Sequence, residues 1–167
     1  MASYRFGVIV GLLAVLGGCS SSLSVTTQQK ARQGDVEFLM DRMTHKDEWI
    51  VADCARGLGQ HRVAQAIPEL IRVLEDEAIG PYARWEAGLA LARIHPPDAA
   101  PRLRLAYQRA GHPEERYWLL VAMAAYCDEE TRGMLEQATS DSDIFLSRIA
   151  LKSLQDCQKT LEGEGTP

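Results

Sequence analysis

The chain has 167 residues, 46% hydrophobic and 25% charged, close to globular averages, which excludes a chain that is disordered or low-complexity along its length. With 18 Lys and Arg against 23 Asp and Glu the net charge is -5, and no broad basic footprint for a nucleic acid is present. Four cysteines at irregular spacing give neither a disulfide-rich scaffold nor a zinc-finger pattern.

Residues 1–5 carry one positive charge, Arg5, and Phe6 to Gly18 follow as an uncharged run rich in Val, Leu and Gly. A helix of that length spans roughly 20 Å, short of a hydrocarbon core of roughly 30 Å. Residues 1–18 therefore read as a secretory signal rather than a spanning helix. Leu16-Gly17-Gly18-Cys19 stands directly after the run. This aliphatic-small-small-Cys sequence resembles the lipobox of bacterial lipoproteins. The resemblance implies cleavage before Cys19, lipidation of Cys19 and attachment to a membrane of the bacterial cell envelope through the lipid. Ser20 is similar to the residue found in lipoproteins sorted to the periplasmic face of the outer membrane; the inner membrane is the alternative. Residues 19–34, with only Leu23, Val25 and Ala31 apolar after the cysteine, read as a flexible tether.

From residue 35 the chain repeats itself. Leu58, Leu91, Met123 and Leu154 are spaced by 33, 32 and 31 residues, and a small residue precedes each: Gly57, Ala90, Ala122, Ser153. A second series, Leu39, Leu70, Leu103 and Leu135, is spaced by 31, 33 and 32. Two columns drifting around one period define a tandem repeat. Apolar residues recur at three- and four-residue spacing within each unit, and prolines stand where a first helical turn tolerates them: Pro68 and Pro101, then Pro81 and Pro113. The pattern predicts helices over about 35–44, 48–60, 66–76, 81–94, 98–110, 113–126, 129–139 and 142–157, with Asp141 or Ser142 capping the last. Residues 158–167 read as a disordered tail.

Ala66-Ile67-Pro68-Glu69-Leu70, followed by Arg84, Ala87 and Ala90-Leu91, resembles the HEAT-like repeats of the short bacterial type named after phycobilisome lyases. Arg116 takes the same position in the third unit, while Asp47 and Asp143 sit at the family's Asp position in the first and fourth. Gly80 and His112 stand in place of that Asp where the Arg is present. The resemblance covers residues 35–157 and implies an all-α fold, an α-solenoid of about four helix pairs wound as a right-handed superhelix. The lyase activity does not carry over, because a fold hosts many functions.

Chemistry is sparse. The four histidines divide between turns within and between units, which lie on opposite edges of a solenoid, so no metal site is expected. Cys54 falls mid-helix among small residues, a buried structural position. No nucleophile elbow or phosphate-cradling loop is present, and neither catalytic residues nor a cofactor are expected. Cys127 and Cys157 fall near the ends of second helices in adjacent units. A disulfide suits an exported chain, but equivalent positions on packed helices lie about 8–10 Å apart and a bridge needs Cα atoms within about 7 Å. A bridge and two separate thiols both remain open.

Aromatic residues gather at second-helix starts: Trp49, Tyr82, Trp85, Tyr117, Trp118 and Phe145, with Arg84, Arg93 and Arg116 on the same helices. Trp, Tyr and Arg are the residues enriched at binding hot spots. Packing between repeats is the competing use of the same side chains. The sequence thus points to a membrane-anchored, non-enzymatic adaptor or assembly factor binding a protein of the envelope. Self-association through an uncapped last helix, and an enzyme such as a chromophore lyase or envelope hydrolase, are the alternatives.

Overall fold

A computed structural model describes residues 19–161. The signal reading of residues 1–18 lies outside them. Among the described residues the helices are α1 (Cys19–Gln33), α2 (Val36–Asp41), α3 (Glu48–Gln60), α4 (Ile67–Glu75), α5 (Pro81–Ile94), α6 (Ala99–Arg109), α7 (Pro113–Ala124), α8 (Glu129–Ala138) and α9 (Ile144–Leu161), with no strand. The pairs α2/α3, α4/α5, α6/α7 and α8/α9 are the four repeat units, stacked as an α-solenoid. Second helices pack in series, α3 on α5, α5 on α7 and α7 on α9.

Local chemistry sets most helix starts. Asp35, Asp47 and Asp128 accept hydrogen bonds from the backbone N–H groups of Phe38, Trp49 and Thr131, which would otherwise lack partners in the first turn. Pro81 and Pro113 open α5 and α7, where a missing N–H costs nothing. The last helix is capped by Asp143, not by Asp141 or Ser142: Asp143 accepts from Phe145 N at 2.8 Å and Leu146 N at 3.3 Å. Asp141 instead accepts from the backbone of Asp143 and from Arg116.

The small-residue columns let the second helices close on one another. A Cβ on Gly57 would stand 2.7 Å from Ala31 Cβ, and one on Gly59 would stand 2.6 Å from Ala90 Cβ. Leu58, Leu91 and Met123, the residues that carry the repeat, are fully buried, as are Leu39, Leu70, Leu103 and Leu135 of the first-helix column.

Residues 19–33 correct the tether expectation, because they form α1, packed on α3. Leu23, Thr27 and Ala31 recur at four-residue spacing; Ala31 is buried, and Thr27 is fully buried with its hydroxyl donating to Leu23 O at 2.8 Å. α1 therefore fills a second-helix place one period before α3. Gly34, at φ 69, ends it, and Asp35 N donates back to Lys30 O, closing a Schellman turn. Composition could not reveal this helix, since a segment rich in Ser, Thr and Gln becomes helical through its packed stripe rather than its propensity. The tail is corrected in part: α9 runs to Leu161, and residues 162–167 lie outside the description.

Cys127 and Cys157 form a disulfide with Cα atoms 5.3 Å apart. The spacing estimated for two helical positions did not apply, because Cys127 lies past the end of α7 in a left-handed turn, φ 48. Arg62 and His95 take similar left-handed conformations after α3 and α5, so the repeat's own turn places the cysteine.

The bridge closes a loop of 30 residues over the last two units. Replacing both cysteines by Ser should lower the unfolding free energy by about 3.6 kcal/mol, as loop-closure entropy predicts, in urea denaturation followed by circular dichroism.

Candidate interaction surface

The second helices run parallel, so α3, α5, α7 and α9 present their N-terminal ends along one edge. Trp49 lies on Tyr82 with ring centroids 4.3 Å apart, and Tyr82 meets Trp85 edge-on at 5.0 Å. Tyr117 meets Trp118 edge-on at 4.8 Å. The sequence-level row is thus two clusters, one at each end of the edge.

Exposure separates their uses. Tyr82, Trp85 and Tyr117 are half-buried, whereas Trp49, Trp118 and Phe145 are exposed, Phe145 at 74%. At the far end an open groove runs between the starts of α7 and α9, walled by Tyr117, Trp118, Phe145 and Leu146. Glu114 and Asp143 stand on its rim, and both are exposed. The groove offers aromatic faces beside carboxylates, a combination that suits a cationic side chain on an apolar segment.

The arginines are not gathered with these aromatics. Arg84 turns inward: its Nη2 lies 2.5 Å from Glu115 Oε1, and Glu115 is 2% exposed. Arg116 donates to Asp141 at 3.0 Å and lies 5.6 Å from the Tyr107 ring centroid. Arg93 is exposed in the last turn of α5, eight residues past Trp85 and roughly 12 Å along the helix. Arg84 and Arg116 thus join units together, Arg84 largely covered and Arg116 still partly open to solvent.

Further ion pairs complete this ladder. Arg56 donates to Asp53 at 2.7 Å, to Glu86 at 2.8 Å and to the Tyr82 hydroxyl. Burial works against the Arg56 cation, but Glu86 and Tyr82 outweigh it and raise the guanidinium above its ordinary value. Arg104, buried, reaches Asp128 and Glu130 in the next unit, and Arg72 donates to Met43 O at 2.8 Å. Sequence reasoning missed Arg56, Arg72 and Arg104. Their partners lie 24 to 30 residues away, and the recurrence of such spacings near one repeat was the available signal.

Cys54, His61 and His95 hold places in the packing. Cys54 is buried, and burial first, then the Asp53 carboxylate, push its thiol up to about 12. His61 and His95 donate through Nε2 to the carbonyls of Ala31 and Ala125, tying neighbouring second helices at their C-terminal ends. Among the described residues no three His, Cys, Asp or Glu side chains converge on a metal position. Nor is any described helix long and apolar enough to cross a membrane.

Stacked helix pairs joined by small-residue contacts and cross-unit ion pairs define a helical-repeat solenoid, a class often used for protein interaction. The chain belongs to the HEAT repeat family, whose model matches residues 36–124. No curated protein matches the chain.

Two measurements test the ladder. Arg84→Ala leaves the Glu115 carboxylate buried without its cation and should cost about 3 kcal/mol in urea denaturation, with Arg84→Met/Glu115→Leu recovering most of the loss. Acid should weaken the last two units. Burial opposes ionisation of Asp128, but the Thr131 N–H and hydroxyl and the Arg104 guanidinium hold its carboxyl below the ordinary value; the Asp143 N–H and Arg116 do the same for Asp141. Carboxyls depressed in the folded state stabilise it fully above the unfolded value of about 4, and lose that contribution as pH falls through the folded value. The slope of stability between pH 5 and pH 2, expected over roughly that window, should flatten in Asp128→Asn/Asp141→Asn.

Proposed function

We propose that the chain is a membrane-attached, non-catalytic HEAT-repeat adaptor that holds a protein of the bacterial cell envelope at the membrane. The observation that carries this reading is the groove between α7 and α9, with exposed Trp118 and Phe145 on rigid helix starts and the carboxylates of Glu114 and Asp143 at its rim. Aromatic anchors cost little conformational entropy when they bind, and the rim selects Lys or Arg beside an apolar side chain. The attachment rests on the apolar run of residues 6–18 and the Leu16-Gly17-Gly18-Cys19 sequence that follows it. Lipid on Cys19 holds the chain at the membrane, with the periplasmic face of the outer membrane as the site. Confinement near a bilayer raises the effective concentration of a neighbouring partner, so a modest groove suffices.

A second reading, self-association, draws on α9, where Ile144 (63%), Phe145 and Leu151 (50%) are exposed on the last described helix. Sedimentation of the purified protein separates the two, since an adaptor stays monomeric without its partner.

Crosslinking in intact cells, followed by mass spectrometry, should capture one envelope protein with the native chain. Trp118→Ala/Phe145→Ala should reduce that capture at least about tenfold, the loss expected from removing two anchor residues, while helicity is unchanged. Undiminished capture by the double variant would remove the groove from the account.

A further inference from the structure

The start of α1 and the exposed Trp49 lie at the same end of the solenoid. Ala31 packs against Gly57, and His61, just past α3, donates to the Ala31 carbonyl, so the C-terminal ends of α1 and α3 lie together and the two helices are parallel. Leu23, near the start of α1, shares a shallow pocket with Arg42, His45 and Lys46 of the loop that leads into α3. With Ala31 beside Gly57, the parallel register sets Leu23 level with Trp49. Cys19 is four residues earlier, roughly 6 Å further along at the helical rise.

That distance is about the thickness of one polar headgroup layer, which occupies roughly 5–8 Å on each side of the hydrocarbon core. A chain attached through Cys19 would hold Trp49 within this layer. Trp is enriched there because its ring is apolar and its N–H needs a polar partner, and Lys and Arg sit there beside lipid phosphate. Trp49 is 56% exposed and Lys46 is exposed on the loop just before α3. Since α1 is packed on α3 rather than hanging as a tether, the solenoid cannot swing this edge away from the attachment point. A gap of one headgroup layer also leaves no room for a folded protein between Trp49 and the bilayer.

We infer that Trp49, with Lys46 beside it, is a second membrane contact, seated in the headgroup layer of the bilayer to which the chain is attached. The inference rests on the attachment at Cys19 proposed above, and it is separate from the groove, which lies at α7 and α9. It gives the first unit a fixed stance on the lipid, with the groove two units further along the stack.

The chain has three tryptophans, so each can be read by fluorescence. The full chain, purified from membranes, is reconstituted into phosphatidylcholine vesicles brominated near the headgroup, and flotation is recorded with each spectrum. With Trp85→Phe/Trp118→Phe, leaving Trp49 alone, bromine should quench emission roughly twofold, as for an interfacial tryptophan. Trp49→Phe should abolish most of the quenching seen in the wild type. Flotation with Trp49 unquenched by bromine but quenched by aqueous iodide would overturn the contact and leave the attachment standing. Flotation with Trp49 shielded from both would assign the residue to a protein neighbour and equally overturn it. Failure to float would overturn the attachment, and the contact with it.

Discussion

Close approach of parallel second helices is the constraint on which this structure depends. Where α1 meets α3 and α3 meets α5, the partners touch through Gly57 against Ala31 and Gly59 against Ala90, contacts with no space for a larger side chain. An interior packs at nearly crystalline density, so this spacing dictates which Leu and Met side chains fill the layer behind it. Once it is set, Leu58, Leu91 and Met123 fall into one buried line, and the same inter-unit step repeats along the stack.

That step also decides where polar groups find partners. Arg56 to Glu86, Arg84 to Glu115 and Arg104 to Asp128 are each links between neighbouring units. Such pairs add little net stability over apolar packing, but breaking one strands a charge, which penalises any other register. His61 and His95 act likewise on helix C-terminal carbonyls, and the disulfide ties the final pair covalently. A solenoid touches only its neighbours, so links of this kind are what make it rigid over its length.

Rigidity matters most at the two ends. At the start, α1 replaces an expected tether with a packed helix, so the first described residue is continuous with the stack. At the other end, α9 is the last described helix, and its exposed Phe145 borders the groove walled by Tyr117 and Trp118. A membrane-attached adaptor would transmit its stance on the bilayer directly to that groove, with no flexible joint between.

The sequence by itself determined the repeat, its period, the four helix pairs and most of their boundaries, because apolar spacing, first-turn prolines and capping aspartates act within one helix. It also marked the aromatic residues at second-helix starts and the positions of Cys127 and Cys157. Only the tertiary structure decided that residues 19–33 are helical, that Arg84 and Arg116 brace units, that the cysteines pair, and that Trp118 and Phe145 share a groove while Trp85 is half-buried. Each of these depends on a contact between residues about one repeat apart. Helical spacing shows which face of a segment is apolar, but the neighbour that covers it exists only once the units have stacked.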